Sequence, residues 1–171
     1  MALTPTTKIQ AVNIMLASIG EAPVSSLDDP TLGDVSIAES ILDETNVELQ
    51  SRGLHCNTEI NFPITANNDG EIELPANCVS VDTTGQSITT DVVQRGNRLY
   101  DRGQRSFTTF SGELFVTMVL LLEFNDLPQH VRRYITVKSA RRFQNRILGS
   151  TTLSGFTPVS YTHLRAHETH E

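Results

Sequence analysis

The stretch from Asp34 to Gly53, DVSIAESILDETNVELQSRG, sets the terms for the rest of the chain. Val35, Ala38, Ile41, Leu42, Thr45 and Leu49 recur at steps of three and four residues, and Glu39, Asp43, Glu44 and Glu48 fall mostly between them. The spacing predicts an amphipathic helix with one buried stripe and an acidic outer face. Asp34 stands where an N-cap carboxylate accepts an orphan backbone N–H and meets the positive end of the helix dipole. Arg52 lies in the last turn, and Gly53 occupies the place of a left-handed residue that ends a helix. A stripe of this kind needs a second apolar surface, so the neighbouring sequence must cover it.

The preceding residues supply one. Thr4-Pro5 reads as a capping hydroxyl followed by proline at the first helical position, Ile9, Val12, Leu16 and Ile19 form a stripe with Met15 beside it, and Gly20 ends the helix. Glu21–Gly33 reads as a structured loop, and the next helix is expected to pack back antiparallel on the first. After Gly53 the period changes from helical to alternating. Asn61–Ile64, Glu71–Leu74, Val79–Val81, Val92-Val93, Arg98–Tyr100, Phe107–Phe110 and Phe115–Leu121 read as short strands, with turns at Asn67–Gly70 and Gly96-Asn97. Leu114–Leu122 is expected to be the most buried strand, with a helix as the competing reading. Asp126-Leu127-Pro128 opens a last helix that Gly149 closes.

The fold class is therefore α+β: a helical bundle layer of three main helices with an inserted antiparallel β module, a small sandwich or open barrel. Residues 1–54 and 123–150 are expected to form the helical domain, and residues 55–122 the inserted β domain. Val159–Thr169, VSYTHLRAHET, resembles a translated transposase adapter from sequencing-library preparation, read in its third frame. Residues 159–171 are accordingly set aside as non-native, and 151–158 as a truncated C-terminal segment. Removing 159–171 takes away Arg165, Glu168 and Glu171, and leaves 12 basic and 18 acidic residues, a net charge of −6 against −7 for the whole chain.

An acidic chain disfavours a general nucleic-acid coat. The longest nearly unbroken apolar run, Leu114–Leu122, is too short to span a bilayer as a helix, and no membrane association is expected. Cys56 and Cys78, without a signal-like N-terminus, suggest free thiols in an intracellular, soluble protein. Charge is unevenly placed. Arg132, Arg133, Lys138, Arg141, Arg142 and Arg146 are half of the 12 basic residues, whereas residues 1–50 hold only Lys8 against eight acidic residues. The apolar residues of the last helix lie on several sides, which suits a helix contacted from more than one direction, by its own chain or by another subunit. Opposite charge makes helix-to-helix pairing a better reading of these residues than DNA binding.

Chemistry is sparse. His55-Cys56 is the only adjacent base–nucleophile pair worth considering, and sequence neighbours seldom face one another. Cys56, Cys78, His55 and His130 lack the paired spacing of a zinc site. Asp28-Asp29, Asp43-Glu44 and Glu71/Glu73 offer carboxylate pairs, but a glycosidase cleft also recruits aromatic platforms, and the chain has no Trp and three Tyr. Arg95, Arg98, Arg102 and Arg105 either meet a phosphate backbone or an acidic partner or line a solvated hairpin. No phosphate loop accompanies them, and no cofactor is implied.

Five collinear blocks carry a resemblance. Ala11–Asp29, Ile41–Glu59, Gly70–Asp82 (GEIELPANCVSVD), Arg95–Arg102 (RGNRLYDR) and Glu123–Ser150 together resemble the tail tubular protein A family of short-tailed bacteriophages. The resemblance implies a structural virion protein and no enzyme. It implies a head–tail adaptor, an α-helical domain carrying a β module, assembled as a dodecameric ring between the portal protein and the tail nozzle protein. Genome DNA would pass through that ring without specific binding during ejection, after assembly in the host cytoplasm. On this reading Arg132, Arg133, Lys138, Arg141, Arg142 and Arg146 are the expected contacts to a neighbouring subunit or the portal. The rival reading is a tail-associated glycan-degrading enzyme.

Overall fold

A computed structural model describes residues 4–28 and 33–149. The segments 151–158 and 159–171, and Asp29 of the Asp28-Asp29 pair, lie outside the described residues. Three helices and two antiparallel sheets are found among the described residues: α1 (Lys8–Ala17), α2 (Gly33–Gln50), β1 (Thr58–Thr65), β2 (Cys78–Thr83), β3 (Val92–Arg95), β4 (Arg98–Asp101), β5 (Glu113–Leu120) and α3 (Gln129–Leu148). The architecture is α+β. The described residues divide into two compact units, one of those up to Leu49 together with those from Glu123 onward, and one of Gln50–Leu122.

In the helical unit, α1 starts later than Thr4-Pro5 suggests. Thr7 is the N-cap, and with Gln10 it forms a reciprocal capping box: the Thr7 hydroxyl accepts from the Gln10 N–H and the Gln10 amide oxygen accepts from the Thr7 N–H at 2.9 Å. That pair satisfies two orphan donors at once, which a lone Thr-Pro cannot do. At the other end, the Gly20 N–H reaches the Ala17 carbonyl and the Glu21 N–H the Leu16 carbonyl, with Gly20 at φ +86°. This is the Schellman closure that glycine permits. The buried face is Ala11, Val12, Met15 and Leu16, so Met15 is central, while Ile9 and Ile19 sit half-buried at its margins.

On α2, Val35, Ala38, Ile41, Leu42, Thr45 and Leu49 are all buried, as the periodicity predicts. The helix begins at Gly33, so Asp34 lies inside the first turn, where its charge still faces the favourable end of the dipole. Past the end of α2, Gly53 adopts φ +75°. Pro128 precedes α3, and Gly149 at φ +62° closes it. Between Val131 and Gln144 only Arg133 is exposed, which makes α3 the most enclosed element of its unit.

In the β unit, β5 is the central strand of a sheet ordered β1-β5-β2, and β3 pairs with β4 in a separate hairpin across the Gly96-Asn97 turn. The strand reading of Leu114–Leu122 therefore holds over the helical one. Ile72, Leu74, Cys78, Val81, Val92, Leu99, Phe110, Val116 and Met118 form one core shared by both sheets. Two expected strands are absent from the described sheets. Glu71–Leu74 does alternate, with Ile72 and Leu74 buried, but makes a single bridge, Glu73 to Arg98. The turn ending at Gly70 and the proline at 75 leave it too short for a ladder. Phe107–Phe110 is likewise irregular, and its Phe110 N–H bonds the Gly70 carbonyl. A side chain on Gly70 (φ +76°) would lie 2.6 Å from the Thr108 carbonyl oxygen, so the crossing demands glycine.

The ends of the β unit are joined by two buried amides. Gln50 donates from Nε2 to the Leu122 carbonyl and accepts the Leu122 N–H on Oε1, both at 2.8 Å. Asn57 donates from Nδ2 to the carbonyls of Leu120 (2.7 Å) and Gln50 (3.0 Å), and accepts the Leu54 N–H at 2.7 Å. Replacing Gln50 with Leu keeps the volume but strands the Leu122 N–H and carbonyl. Urea denaturation of Gln50→Leu is expected to show a loss of about 2–3 kcal/mol, whereas Glu44→Gln on the exposed side of α2 should change stability by less than about 0.5 kcal/mol.

Candidate functional site

The basic residues of α3 are where the sequence places a contact surface, and the fold separates them into different tasks. Arg132 is buried at the start of the helix, 9% exposed. Its Nε donates to the Leu127 carbonyl at 2.6 Å, Nη1 to the Thr6 carbonyl at 2.9 Å, and Nη2 to the Asn125 carbonyl. A cation at a helix N-terminus opposes the dipole, and three carbonyls that precede the helix offset this. Beside it Gln129 accepts the Thr6 N–H at 2.7 Å and donates to the Thr6 hydroxyl at 2.8 Å. Arg132 and Gln129 thus fasten the segment ahead of α1 to the start of α3.

Lys138 and Arg142 converge on one carboxylate. Lys138 Nζ lies 2.7 Å from Glu48 Oε1 and Arg142 Nη2 2.5 Å from Glu48 Oε2, while Arg142 Nη1 also reaches the Thr45 hydroxyl at 3.2 Å. Thr45 donates its own proton to the Ile41 carbonyl at 2.7 Å, which leaves its oxygen free to accept. The hydrogen bond from Lys138 is the largest influence on Glu48. Together with Arg142 it outweighs partial burial and holds the carboxyl at about 2, against an ordinary 4.5. A second ionic cluster links α1 to α2, with Lys8 Nζ 2.8 Å from Glu39 and 2.9 Å from Asp43. Burial works against the Lys8 charge, but the two carboxylates prevail and raise its pKa.

Arg141 is half-buried, and Arg133 and Arg146 are exposed. Arg133 and Arg146 stand thirteen positions apart, about 20 Å along the axis. The opposite charges of α2 and α3 therefore meet within the chain at Lys138, Arg142 and Glu48. Sequence reasoning set Glu48 on a solvated acidic face and missed its role as the shared partner. The available signal was the i, i+4 spacing of Lys138 and Arg142, which aims two cations at one point on a neighbouring helix.

Elsewhere, His55, Cys56 and Asn57 form a 3-10 turn. Burial pushes the Cys56 thiol up, so it is protonated at neutral pH and a poor nucleophile. Cys78 is buried, and burial raises its thiol too. Of the carboxylate pairs, Glu71 binds Arg98 at 2.9 Å and Asp43 binds Lys8. Among the described residues there is no cluster of three or more His, Cys, Asp or Glu placed to hold a metal ion, and no helix long and apolar enough to cross a membrane. A shallow cleft of about 450 Å³ is lined by Thr90, Asp101, Gln104, Thr109 and Leu114 among others. Its carboxylate is already engaged, accepting the Gln104 N–H at 2.8 Å and the Thr109 hydroxyl at 3.3 Å.

Among the described residues, the ionic groups of the helical unit brace its helices against one another. Comparison with known proteins supplies the class. A family model described as "Tail tubular protein" matches residues 9–169, and the chain belongs to that family. It is 26% identical over 152 residues to "Tail tubular protein A" of Klebsiella phage KP34, an alignment that covers 87% of this chain and 78% of the relative. The protein is a structural component of a bacteriophage tail.

The Glu48 cluster has a pH signature. Its folded pKa is depressed, so its contribution is present above the unfolded value of 4.5 and is lost as pH falls towards about 2. Glu48 is 37% exposed, so solvent screening limits the contribution to about 1 kcal/mol. In urea titrations the stability gap between the wild type and Glu48→Gln is expected to be constant from about pH 7 to about pH 5 and to close below about pH 4. A gap that widened in acid would contradict the assignment.

Proposed function

We propose that this tail protein is the head–tail adaptor, a dodecameric ring seated between the portal protein and the tail nozzle protein, assembled in the host cytoplasm and forming part of the conduit for DNA ejection. Membership of the tail tubular protein family over residues 9–169 carries the reading. Physically, the ring is a closed heterologous assembly in which one surface of each subunit meets a different surface of the next. The net charge of −7 supports a conduit, since an acidic lining repels the phosphate backbone where a strongly basic one would retain it. Genome DNA then passes without specific binding.

Of the six basic residues expected at a subunit or portal contact, Arg133 and Arg146 are the exposed pair and carry that role in this proposal. Arg141 flanks them. Arg132, Lys138 and Arg142 support the surface indirectly, by holding α3 against its own unit. Native mass spectrometry and negative-stain microscopy of the purified chain, alone and with the portal protein of the same phage, test the proposal. The expected result is a closed ring that binds portal, with Arg133→Glu and Arg146→Glu together weakening ring formation or portal binding at least about tenfold. A chain that neither closes nor binds portal overturns the adaptor reading. Unchanged assembly and portal binding in the double variant overturns the residue assignment alone.

A further inference from the structure

The β3–β4 hairpin concentrates charge in a way its own unit does not explain. Four of the five basic residues of Gln50–Leu122 fall between Arg95 and Arg105, against eight acidic residues spread through the unit. Arg95 and Arg98 are register partners, so two like charges lie directly opposite on one face. That arrangement destabilises a hairpin. Each guanidinium is nevertheless held in place: Arg95 lies 3.6 Å from the centroid of Tyr100 and Arg98 4.4 Å from that of Phe107, and the two rings meet edge to face at 4.9 Å. Stacking fixes the planar groups at low entropic cost and leaves their N–H edges available.

Neutralisation is incomplete. Glu71 pairs with Arg98 at 2.9 Å, whereas among the described residues no carboxylate pairs with the exposed Arg95. The face is therefore a rigid, aromatic-backed cation lacking one carboxylate. The chain carries an acidic surface to set against it, because α2 exposes Asp34, Asp43 and Glu44, of which Asp43 is paired with Lys8.

We infer that the Arg95/Arg98 face of the β3–β4 hairpin is an interaction surface for a second copy of this chain, and that it docks on the acidic outer side of the neighbour's α2 helix around Glu44. The inference rests on the ring reading and names one pair of unlike surfaces of the kind such a ring requires, beside the Arg133 and Arg146 contact. Arg102, paired with Asp91 at 3.5 Å in a largely exposed position, lies at the rim.

Sedimentation velocity of the full 171-residue chain tests it. Arg95→Glu and Glu44→Arg are each expected to weaken self-association at least about tenfold, and the two together to recover to within about threefold of the wild type. Arg95→Gln, which removes charge without reversing it, is expected to weaken association by a smaller factor while melting like the wild type. Wild-type self-association by Arg95→Glu and Arg95→Gln overturns the inference and leaves the ring intact. Failure of the double variant to recover overturns α2 as the counter-surface. A wild-type chain that is monomeric at every concentration overturns both the inference and the ring. Binding of a random 30-base-pair duplex that Arg95→Glu abolishes, with self-association unchanged, assigns the face to phosphate and overturns the inference.

Discussion

The β unit depends on hydrogen bonds made by two side-chain amides. Gln50 and Leu122 are its first and last residues, and their mutual bonds copy the paired exchange of an antiparallel ladder, with a side-chain amide standing in for one strand. Asn57 extends the pattern to Leu120 and back to the Gln50 carbonyl. A chain that leaves for 73 residues incurs a loop-closure cost where its ends meet. Here that closure is made by two buried side-chain amides, Gln50 and Asn57, and a low local dielectric strengthens such bonds and makes an unmade one costly. From that junction β1 departs and β5 returns as the central strand, so both edge pairings of the larger sheet begin beside it.

The helical unit solves a different problem. α3 carries six basic residues yet sits deepest in its unit, and it does so because each cation near its core is given oxygen atoms. Arg132 takes three carbonyls, and Lys138 and Arg142 share Glu48. Burial of uncompensated charge is what such a helix must avoid, and paired burial specifies one packing of α3 on its neighbours. For a component of a bacteriophage tail this matters more than raw stability, because identical subunits must present identical surfaces.

How far the sequence foretold this varies with the physics of each element. The α2 stripe was fully legible, because burial on one side of a helix repeats every three to four residues and six residues obeyed it. The start of α1 was misplaced because a proline after threonine is a conspicuous signal, whereas the Thr7–Gln10 box depends on two reciprocal bonds. Glu71–Leu74 alternated as a strand does and buried its apolar residues, but alternation reports which side faces the core and is silent on whether a partner lies alongside. The candidate contact residues were legible as a basic cluster. Their division into buried, paired and exposed groups was not, since it depends on where Glu48, Thr6 and Asn125 fall in space. The stacking of Arg95 on Tyr100 and Arg98 on Phe107 falls within thirteen residues, but which guanidinium lies over which ring depends on the path of the chain from Asp101 to Phe107, which carries no periodic signal.

β1 is an edge strand whose residues Glu59 to Pro63 are all exposed, including the apolar Ile60 and Phe62. Such a ribbon would ordinarily template the next chain. Its register slips between Glu59 and Phe62, Asn61 turns to φ +56° beside a glycine at 85 whose added side chain would come within 2.8 Å of the Asn61 oxygen, and Pro63 withholds a donor. A kinked, proline-interrupted edge is a poor seed for strand addition. The consequence is a sheet whose β1 edge resists extension, so that crowded copies of the protein meet there through side chains rather than through a shared ladder.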